Sequence, residues 1–256
     1  MIDLPAHESL DDQIVHADCL HGLRAVADGS VAMVFADLPY GRTQNEWDKL
    51  VPMENLWREL YRVCRRDAAM VFTAMQPFTS LLVCSNPSAF RYEMIWQKNK
   101  VRGFLNAKRQ PLRVHENVLV FYREQPRYNP QMTTGHKPVH SYTKHTSDGT
   151  NYGATKRGVS GGGSTERYPT SILPVAVVNN DDPIRMQPTQ KPEALVAWYV
   201  QTYTRPRDLV LDPTAGSGTT LVAAKRLGRR FIGFETDGGM VAKARTRLAE
   251  MPREVH

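Results

Sequence analysis

The sequence has few cysteines and no long apolar run. Its 256 residues include only three cysteines, Cys19, Cys64 and Cys84, which lie far apart. This spacing lacks the paired arrangement that is typical of zinc ligands, so we expect reduced thiols and no metal site. No segment is long and uncharged enough to predict a transmembrane helix, and residues 1–5 lack the basic and apolar start of a signal peptide. We therefore expect a cytoplasmic protein.

Positive charge exceeds negative charge in this chain, with 33 Lys and Arg residues against 26 Asp and Glu residues and a net charge of +7. Basic side chains near phosphates release condensed counterions, so the excess is compatible with a nucleic-acid partner. Many basic proteins bind no nucleic acid, so charge alone does not identify the partner. The hydrophobic fraction of 41% is ordinary, and this length allows one substantial core with a smaller lobe.

Hydrophobic patterning predicts alternating strands and helices. Before residue 123, it predicts strands at 31–35, 68–73 and 118–122 and a helix at 54–65. After residue 190, it predicts helices at 193–202, 219–227 and 240–250 and strands at 208–211 and 231–234. Such alternation is typical of an α/β fold, in which a mostly parallel sheet carries helices on both faces.

The composition changes between residues 123 and 185, where Gly, Pro, Ser, Thr, Asn and basic residues dominate. Loops this long inside a compact domain are usually functional or disordered, and a flexible linker is one interpretation. The other is a nucleic-acid contact region, because tyrosines interleaved with basic residues suit base stacking and phosphate contacts. The candidate phosphate-binding residues are Arg123, Arg127, Lys137, Lys144, Lys156, Arg157 and Arg167. We therefore divide the chain into 1–122, 123–185 and 186–256.

Residues 209–235 have the pattern of a nucleoside-binding unit. A predicted strand leads into Asp212 and Pro213, a glycine turn follows at 216–218, and a helix precedes a second strand that ends at Glu235. Glycines let the backbone turn tightly and approach a ligand. A carboxylate at the tip of the next strand can accept hydrogen bonds from both hydroxyls of a ribose.

Several ligands compete for this unit. A dinucleotide site prefers a third glycine at the position of Leu221, and a phosphate-binding P-loop needs lysine at the position of Thr219. A purely structural turn is a further alternative. S-adenosylmethionine fits better than the nucleotides, because it has a ribose and a cationic amino-acid tail but no phosphate.

A second motif, Asp37-Leu38-Pro39-Tyr40, follows the predicted strand at 31–35, and open α/β sheets bind ligands at this end of their strands. An exocyclic amine on a base is a poor nucleophile, because its lone pair is delocalised into the ring. The Asp37 carboxylate and the carbonyl of Leu38 or Pro39 can accept its two N–H groups and expose that lone pair. Tyr40 offers a flat face for the base, so positioning supplies most of the catalysis. The alternative is an ordinary turn with an aspartate cap.

Together, these motifs resemble the amino-group DNA methyltransferases, specifically the circularly permuted beta subgroup, in which the catalytic motif precedes the cofactor motif. The similarity also covers residues 16–20, 57–72, 96–98, 115–121 and 187–192. It implies a Rossmann-like methyltransferase fold in a protein of bacterial or phage origin. It also implies that double-stranded DNA is the substrate, that residues 123–185 recognise the target, and that the chain can form a homodimer.

The resemblance also implies roles for individual residues. It places Asp18 near the adenine of the cofactor, Lys191 near its methionine part, and Glu235 at its ribose. The residues implied to bind S-adenosylmethionine are Asp18, Lys191, Asp212, Pro213, Ala215, Gly216, Ser217, Gly218, Thr219 and Glu235. The residues implied to hold the target base are Asp37, Leu38, Pro39 and Tyr40, and such a base must rotate out of the duplex to reach them.

Two positions depart from the family pattern. Leu38 stands where the family usually has proline, and Thr214 stands where members often have phenylalanine. A backbone carbonyl survives the first change, so we expect activity to persist. The second change removes an aromatic contact that the family makes with the cofactor.

The same resemblance indicates which base is modified. Asp37 favours the N6 of adenine, since enzymes that act on the N4 of cytosine more often carry serine at that position. Three alternatives remain: cytosine-N4 methylation, a catalytically silent DNA-binding protein with the same fold, and methylation of RNA or of a protein glutamine.

Overall fold

A computed structural model describes residues 10–41, 50–143, 160–179, 181–182, 185–187 and 189–251. The chain divides into two compact units. The main unit combines Met1–Asn129 with Ser171–His256, and the second unit is Pro130–Thr170. The second unit is shorter than the segment 123–185, because both ends of that segment belong to the main unit. The functional division at residues 123 and 185 stays a prediction.

The strands are numbered along the chain. They are β1 (Gln13–His16), β2 (Val31–Ala36), β3 (Cys64–Ala74), β4 (Phe90–Arg102), β5 (Arg113–Phe121), β6 (Tyr142–Thr143), β7 (Ser160–Gly161), β8 (Ile172–Pro174), β9 (Leu209–Asp212) and β10 (Arg230–Glu235). Within the described residues, eight of them form one sheet in the order β1-β10-β9-β2-β3-β5-β4-β8. The helices are α1 (Cys19–Leu23), α2 (Met53–Val63), α3 (Phe78–Ser85), α4 (Glu193–Tyr203), α5 (Thr219–Arg226) and α6 (Gly238–Ala249).

The sheet is mostly parallel. The first five strands in its order pair in parallel, whereas β5 runs antiparallel to both β3 and β4. The predicted α/β fold is therefore confirmed. Periodicity located β5 but could not give its direction, which follows from the β4–β5 hairpin that inserts β5 between β3 and β4.

Two hydrophobic clusters fill the space between the sheet and its helices. On one face, α1, α2 and α3 pack through Leu23, Leu60 and Leu82 against side chains such as Phe72. On the other, α4, α5 and α6 pack through Tyr199, Leu221 and Val241 against side chains such as Phe35. Because β2 is covered on both faces, all six of its residues are buried, as expected for a central parallel strand.

The described part of the second unit is an antiparallel ribbon. Thr133 and Arg167 exchange two backbone hydrogen bonds of 3.0 and 2.9 Å, and β6 pairs with β7 further along. Tyr142 and Tyr168 are exposed on this unit. The sequence predicted loops here, because strands of two residues are too short to show a period.

Across the residues that the structure describes, no helix is long and apolar enough to span a bilayer.

Candidate active site

Two loops meet at the carboxyl edge of the sheet. The Asp37 loop (residues 37–40) follows β2, and the glycine loop (residues 213–218) follows β9. These strands are parallel neighbours, with Val34 paired to Leu211, so their carboxyl ends emerge side by side. The Thr214 hydroxyl donates to the backbone carbonyl of Asp37 at 3.2 Å. The two sequence motifs, which are about 170 residues apart in the chain, are therefore in direct contact.

Three side chains donate hydrogen bonds to the Asp37 carboxylate. Oδ1 accepts from the Thr73 hydroxyl at 2.5 Å and from the Tyr40 hydroxyl at 2.7 Å. Oδ2 accepts from the Lys191 ammonium. Each carboxylate oxygen has two acceptor positions, so among the described residues Oδ2 retains one that is open to a further N–H group. The side chain of Asp37 is 30% exposed, which leaves this position accessible.

Lys191 lies between two carboxylates. Its Nζ bonds Asp37 and lies 3.6 Å from Oε2 of Glu116, on β5. Burial alone lowers the pKa of Lys191, but Asp37 and Glu116 outweigh that effect and raise the pKa above its ordinary value. The ammonium therefore stays charged and balances both acids.

Glu116 is buried beside this pair. Its Oε1 accepts from the Lys98 ammonium, whose Nζ also lies 4.6 Å from the centre of the Trp96 ring. Its Oε2 has no hydrogen-bond partner in the part of the chain that the structure describes. A buried acceptor without a hydrogen bond is uncommon, and here the Lys191 ammonium at 3.6 Å balances its charge.

Aromatic rings line the other side of the Asp37 loop. Tyr40 stacks on Phe78 with the ring centres 5.0 Å apart, and Pro39 is half-buried. Burial, followed by the charges of Asp37 and Glu116, raises the pKa of Tyr40 well above its ordinary value. Its hydroxyl therefore remains protonated and donates to Asp37. Leu38, where the family usually has proline, places its side chain in the core, so leucine anchors the loop by packing.

Backbone geometry shapes the glycine loop. Gly216 and Gly218 have φ angles of +51° and +73°, which side chains other than glycine rarely adopt. A Cβ atom at Gly216 would lie 2.9 Å from Nε2 of Gln187. The amide of Gly216 instead donates to Oε2 of Glu235 at 2.8 Å. The tip of β10 and the glycine loop are thus joined directly, and Oε2 keeps one acceptor position.

Asp212 is buried at the start of this loop, and its Oδ1 accepts from the Thr214 amide at 3.0 Å. Burial raises the pKa of Asp212 to about 7, against the opposing effect of hydrogen bonds from Thr220 and Thr214. The neighbouring residues Pro213, Ala215, Ser217 and Thr219 are also buried. These residues hold the loop between β9 and α5, and the ionisation of Asp212 is sensitive to pH near neutrality.

Asp18 lies at the same edge of the sheet, because β1 pairs in parallel with β10 and places His16 opposite Glu235. Its Oδ1 accepts from the amides of Leu20 and His21 at 2.9 and 3.2 Å, so Asp18 caps α1. The sequence assigned Asp18 only to the cofactor. The structure shows a capping contact as well.

The candidate phosphate-binding residues fall in different environments. Arg127 and Lys137 are exposed. The guanidinium of Arg123 donates to the carbonyls of Cys64 and Arg65, and that of Arg167 donates to the carbonyls of Ser164 and Glu166. Both arginines therefore have intramolecular partners that a phosphate would have to replace. Lys144, Lys156 and Arg157 lie outside the described residues.

Sequence reasoning missed four side chains at this site: Thr73, Phe78, Lys98 and Glu116. Thr73 and Phe78 belong to no sequence motif. The sequence could have indicated them only by their position near the end of the strand β3. Glu116 has a weak signal, because it is an acidic residue that leads into the apolar run 118–121. Lys191 was identified, but its ammonium contacts Asp37, which the sequence did not predict.

Comparisons with known proteins agree with this geometry. A family model described as "DNA methylase" matches residues 31–245. The chain is 25% identical over 256 residues to the DNA adenine methyltransferase YhdJ of Escherichia coli K12, and the match covers 92% of this chain and 82% of that protein. It is 26% identical over 269 residues to the Type II methyltransferase M2.LlaDCHI of Lactococcus lactis subsp. cremoris, with 95% and 91% covered.

Solved structures show a similar fold. The crystal structure of the M1.HpyAVI–SAM complex gives a TM-score of 0.61 at 23% identity, over 92% of this chain and 98% of that one. The PvuII DNA methyltransferase, described as cytosine-N4-specific, gives a TM-score of 0.65 at 14% identity, over 95% and 87%. The expected methyltransferase fold is therefore confirmed, and at 23% and 14% identity these two structures show the fold alone.

Proposed function

Because this chain belongs to the DNA methylase family, whose model spans residues 31–245, we propose that it transfers a methyl group from S-adenosylmethionine to the exocyclic N6 of adenine in duplex DNA. The observation that supports this assignment is the contact between the Asp37 loop and the glycine loop through Thr214. This contact brings a site for an amine beside a site for a nucleoside. A single-step transfer between two bound molecules needs this proximity.

The glycine loop and the tips of β1 and β10 fit S-adenosylmethionine. Gly216 and Gly218 carry no side chains and have positive φ angles, so the loop can bring its backbone close to a ligand. The Glu235 carboxylate retains an acceptor position on Oε2 that a ribose hydroxyl can use. We assign Asp18, Lys191, Gly216, Gly218 and Glu235 to this site. The remaining members are Asp212, Pro213, Ala215, Ser217 and Thr219. When bound there, S-adenosylmethionine supplies a methyl group on a positively charged sulfur.

The Asp37 loop prepares the acceptor amine. The open position on Oδ2 of Asp37 accepts one N–H group of the amine, and the carbonyl of Leu38 or Pro39 accepts the other. These hydrogen bonds localise the nitrogen lone pair and leave it free to attack the methyl carbon. The ring of Tyr40, supported by Phe78, stacks on the base. Thr73 and Tyr40 both donate to Oδ1, so the Asp37 carboxylate keeps one orientation during the transfer.

Methyl transfer leaves the amine with an extra proton. Asp37 is in hydrogen-bond contact with that nitrogen and can accept the proton, whereas Lys191 is already protonated and cannot. Lys191 instead holds the Asp37 side chain in place through its hydrogen bond to Oδ2. Glu116 holds Lys191 in place through the ion pair at 3.6 Å.

Adenine is proposed over cytosine because a carboxylate occupies position 37 and because YhdJ is described as an adenine methyltransferase. The test incubates the protein with genomic DNA and methyl-labelled S-adenosylmethionine, followed by digestion to nucleosides. Label in N6-methyl-2′-deoxyadenosine supports the proposal, and label only in N4-methyl-2′-deoxycytidine overturns the adenine assignment. DNA that is bound but never labelled would indicate a silent DNA-binding protein. RNA or a glutamine-containing protein labelled in place of DNA would overturn the substrate class. Homodimerisation stays a prediction, which sedimentation of the full chain would test.

A further inference from the structure

A hairpin extends beyond the carboxyl edge of the sheet. Strand β4 continues to Arg102, a 3-10 turn follows at Phe104–Asn106, and β5 begins at Arg113. Regular pairing reaches Gln97 opposite His115, and pairing resumes at Arg102 opposite Arg113. We call residues 98–113 the hairpin tip. None of its residues is among the candidate phosphate-binding positions of the segment 123–185.

The hairpin tip carries only positive charge. Residues 94–115 contain no Asp or Glu and six basic side chains, Lys98, Lys100, Arg102, Lys108, Arg109 and Arg113. Lys98 is paired with Glu116, and the other five are exposed. None of those five forms an ion pair within the described ranges. Five unpaired cations on one hairpin are complementary to a polyanion.

The end of the hairpin tip is apolar. Phe104 is 65% exposed, and Leu105 is fully exposed. Gly103 has φ +95° and directly precedes the 3-10 turn that carries both residues. Neither residue belongs to either hydrophobic cluster, so the fold gains little from them. Adjacent exposed apolar side chains indicate a binding surface.

The hairpin tip is close to the proposed reaction site. Its base lies at Lys98, which bonds Glu116, and Glu116 lies beside Lys191 and Asp37. The Arg102–Arg113 pair lies only two β5 positions beyond the Gln97–His115 pair, so the extra residues of β4 bulge out and the paired part of the tip rises about 7 Å. This rise is comparable to the depth of a DNA groove, which is about 8 Å. The turn that carries Phe104 and Leu105 therefore lies at the same edge of the sheet as Asp37, where a duplex would deliver its base.

We propose that the hairpin tip binds duplex DNA beside the target base. Phe104 and Leu105 insert between base pairs and occupy the space that the extruded base leaves, while the exposed Lys and Arg side chains bind the flanking phosphates. Apolar side chains act as wedges between base steps in other DNA-binding proteins. The inference rests on the proposed function, because it takes the DNA that the Asp37 loop is proposed to modify as its ligand.

The phosphate contacts are tested by charge removal. The variant Lys108→Gln with Arg109→Gln is compared with Arg205→Gln and Lys243→Gln, which remove two exposed charges outside the hairpin. Binding to a mixed-sequence DNA duplex is measured from low to high salt. The hairpin variant should lower the slope of log affinity against log salt by about two, roughly one per lost phosphate contact. Equal slopes for the two variants would overturn the phosphate contacts.

The apolar wedge is tested by removing it. The variant Phe104→Ala with Leu105→Ala should incorporate about tenfold less methyl label into duplex genomic DNA than the wild type. On single-stranded DNA the deficit should shrink to less than about twofold, because an unpaired base needs no extrusion. Phe104→Leu with Leu105→Met should recover most of the loss. Both side chains are exposed, so thermal unfolding should be unchanged. An equal deficit on both DNA forms would overturn the wedge.

The failures of the two proposals are distinguishable. Wild-type protein that labels no DNA contradicts the proposed function, and the salt dependence then still tests the hairpin tip. Equal labelling of DNA by the wild type and by the Phe104→Ala, Leu105→Ala variant contradicts only the wedge. If the hairpin variants lose affinity for an RNA duplex or for anionic phosphatidylglycerol vesicles but keep their affinity for DNA, the ligand class is wrong.

Discussion

The Asp37 loop and the glycine loop lie side by side but depend on different parts of the chain. Asp37 is held by side chains that are 36 and 154 positions away, Thr73 and Lys191. The glycine loop is held mainly by backbone amides that bond within its own strand–helix–strand unit, such as the Gly218 amide to the Ala215 carbonyl and the Thr214 amide to the Asp212 carboxylate. Side chains from distant parts of the chain therefore set the charge around the Asp37 loop, whereas backbone conformation sets the shape of the glycine loop. Substitutions in the two loops should affect different steps.

The largest effect is expected for Asp37→Ala. This change removes the acceptor that is proposed to hold the amine, so methyl transfer should fall by about 10³-fold or more. The glycine loop keeps its own contacts, so the dissociation constant for S-adenosylmethionine, measured by calorimetry, should stay within a few-fold of the wild type. Near-normal turnover would contradict the role of Asp37. A large loss of cofactor affinity would show that the two loops do not act separately.

The next largest effect is expected for Lys191→Met. The change leaves two carboxylates, Asp37 and Glu116, with Lys98 as their one cation within the described network, and removing one member of a buried ion pair costs several kcal/mol. Because Asp37 is partly exposed, we expect a loss of about 2–3 kcal/mol in urea unfolding. Adding Glu116→Gln to Lys191→Met should recover part of this loss, since it removes the excess negative charge. Additive losses in this double-mutant cycle would show that Lys191 and Glu116 are not coupled.

A smaller and more selective effect is expected for Gly216→Val. A side chain at φ +51° is strained, and its Cβ would also meet Gln187. Gly29 is a matched control, because it has φ +60° but no atom within 4 Å of a Cβ position. The variants Gly216→Val and Gly29→Val should each lose about 1–2 kcal/mol of stability through backbone strain. Only Gly216→Val should weaken S-adenosylmethionine binding, by about tenfold or more. Equal affinities would place the cofactor elsewhere.

The smallest effect concerns pH. Asp212 keeps its proton in the folded state up to a pKa of about 7, against an ordinary value of 3.8. Between these values the unfolded chain binds fewer protons, so stability decreases as pH rises through this window and levels off above pH 7. From pH 6 to pH 8, Asp212→Asn should lose about 1 kcal/mol less stability than the wild type. Parallel pH profiles of unfolding would contradict the raised pKa of Asp212.

The glycine loop was predictable because its structure is local. Asp212, the two glycines and Glu235 lie within one strand–helix–strand unit, so their spacing along the chain reflects their spacing in the fold. The network around Asp37 was not predictable in the same way. Thr73 contacts Asp37 because β3 lies beside β2, and Lys98 and Glu116 join the network through Lys191 because β5 and β4 follow β3 in the sheet.

The middle of the chain shows the same division. The basic composition of 123–185 predicted phosphate contacts. It could not show that the guanidinium groups of Arg123 and Arg167 donate hydrogen bonds to backbone carbonyls. The hairpin tip at 98–113 is more densely basic and was not identified. Its sequence resembles an ordinary strand connection, and the structure distinguishes it by the exposure of Phe104 and Leu105.

The amino-acid sequence by itself determined the α/β class, the two motifs and the residue types that each offers a ligand. Hydrophobic periodicity and glycine placement act within a few residues, so they can be interpreted without a fold. The tertiary structure alone decided that the motifs adjoin, that β5 runs in the opposite direction, and that Lys191 lies between Asp37 and Glu116. These facts depend on which strands become neighbours, and strand order is set by packing the whole chain around one sheet.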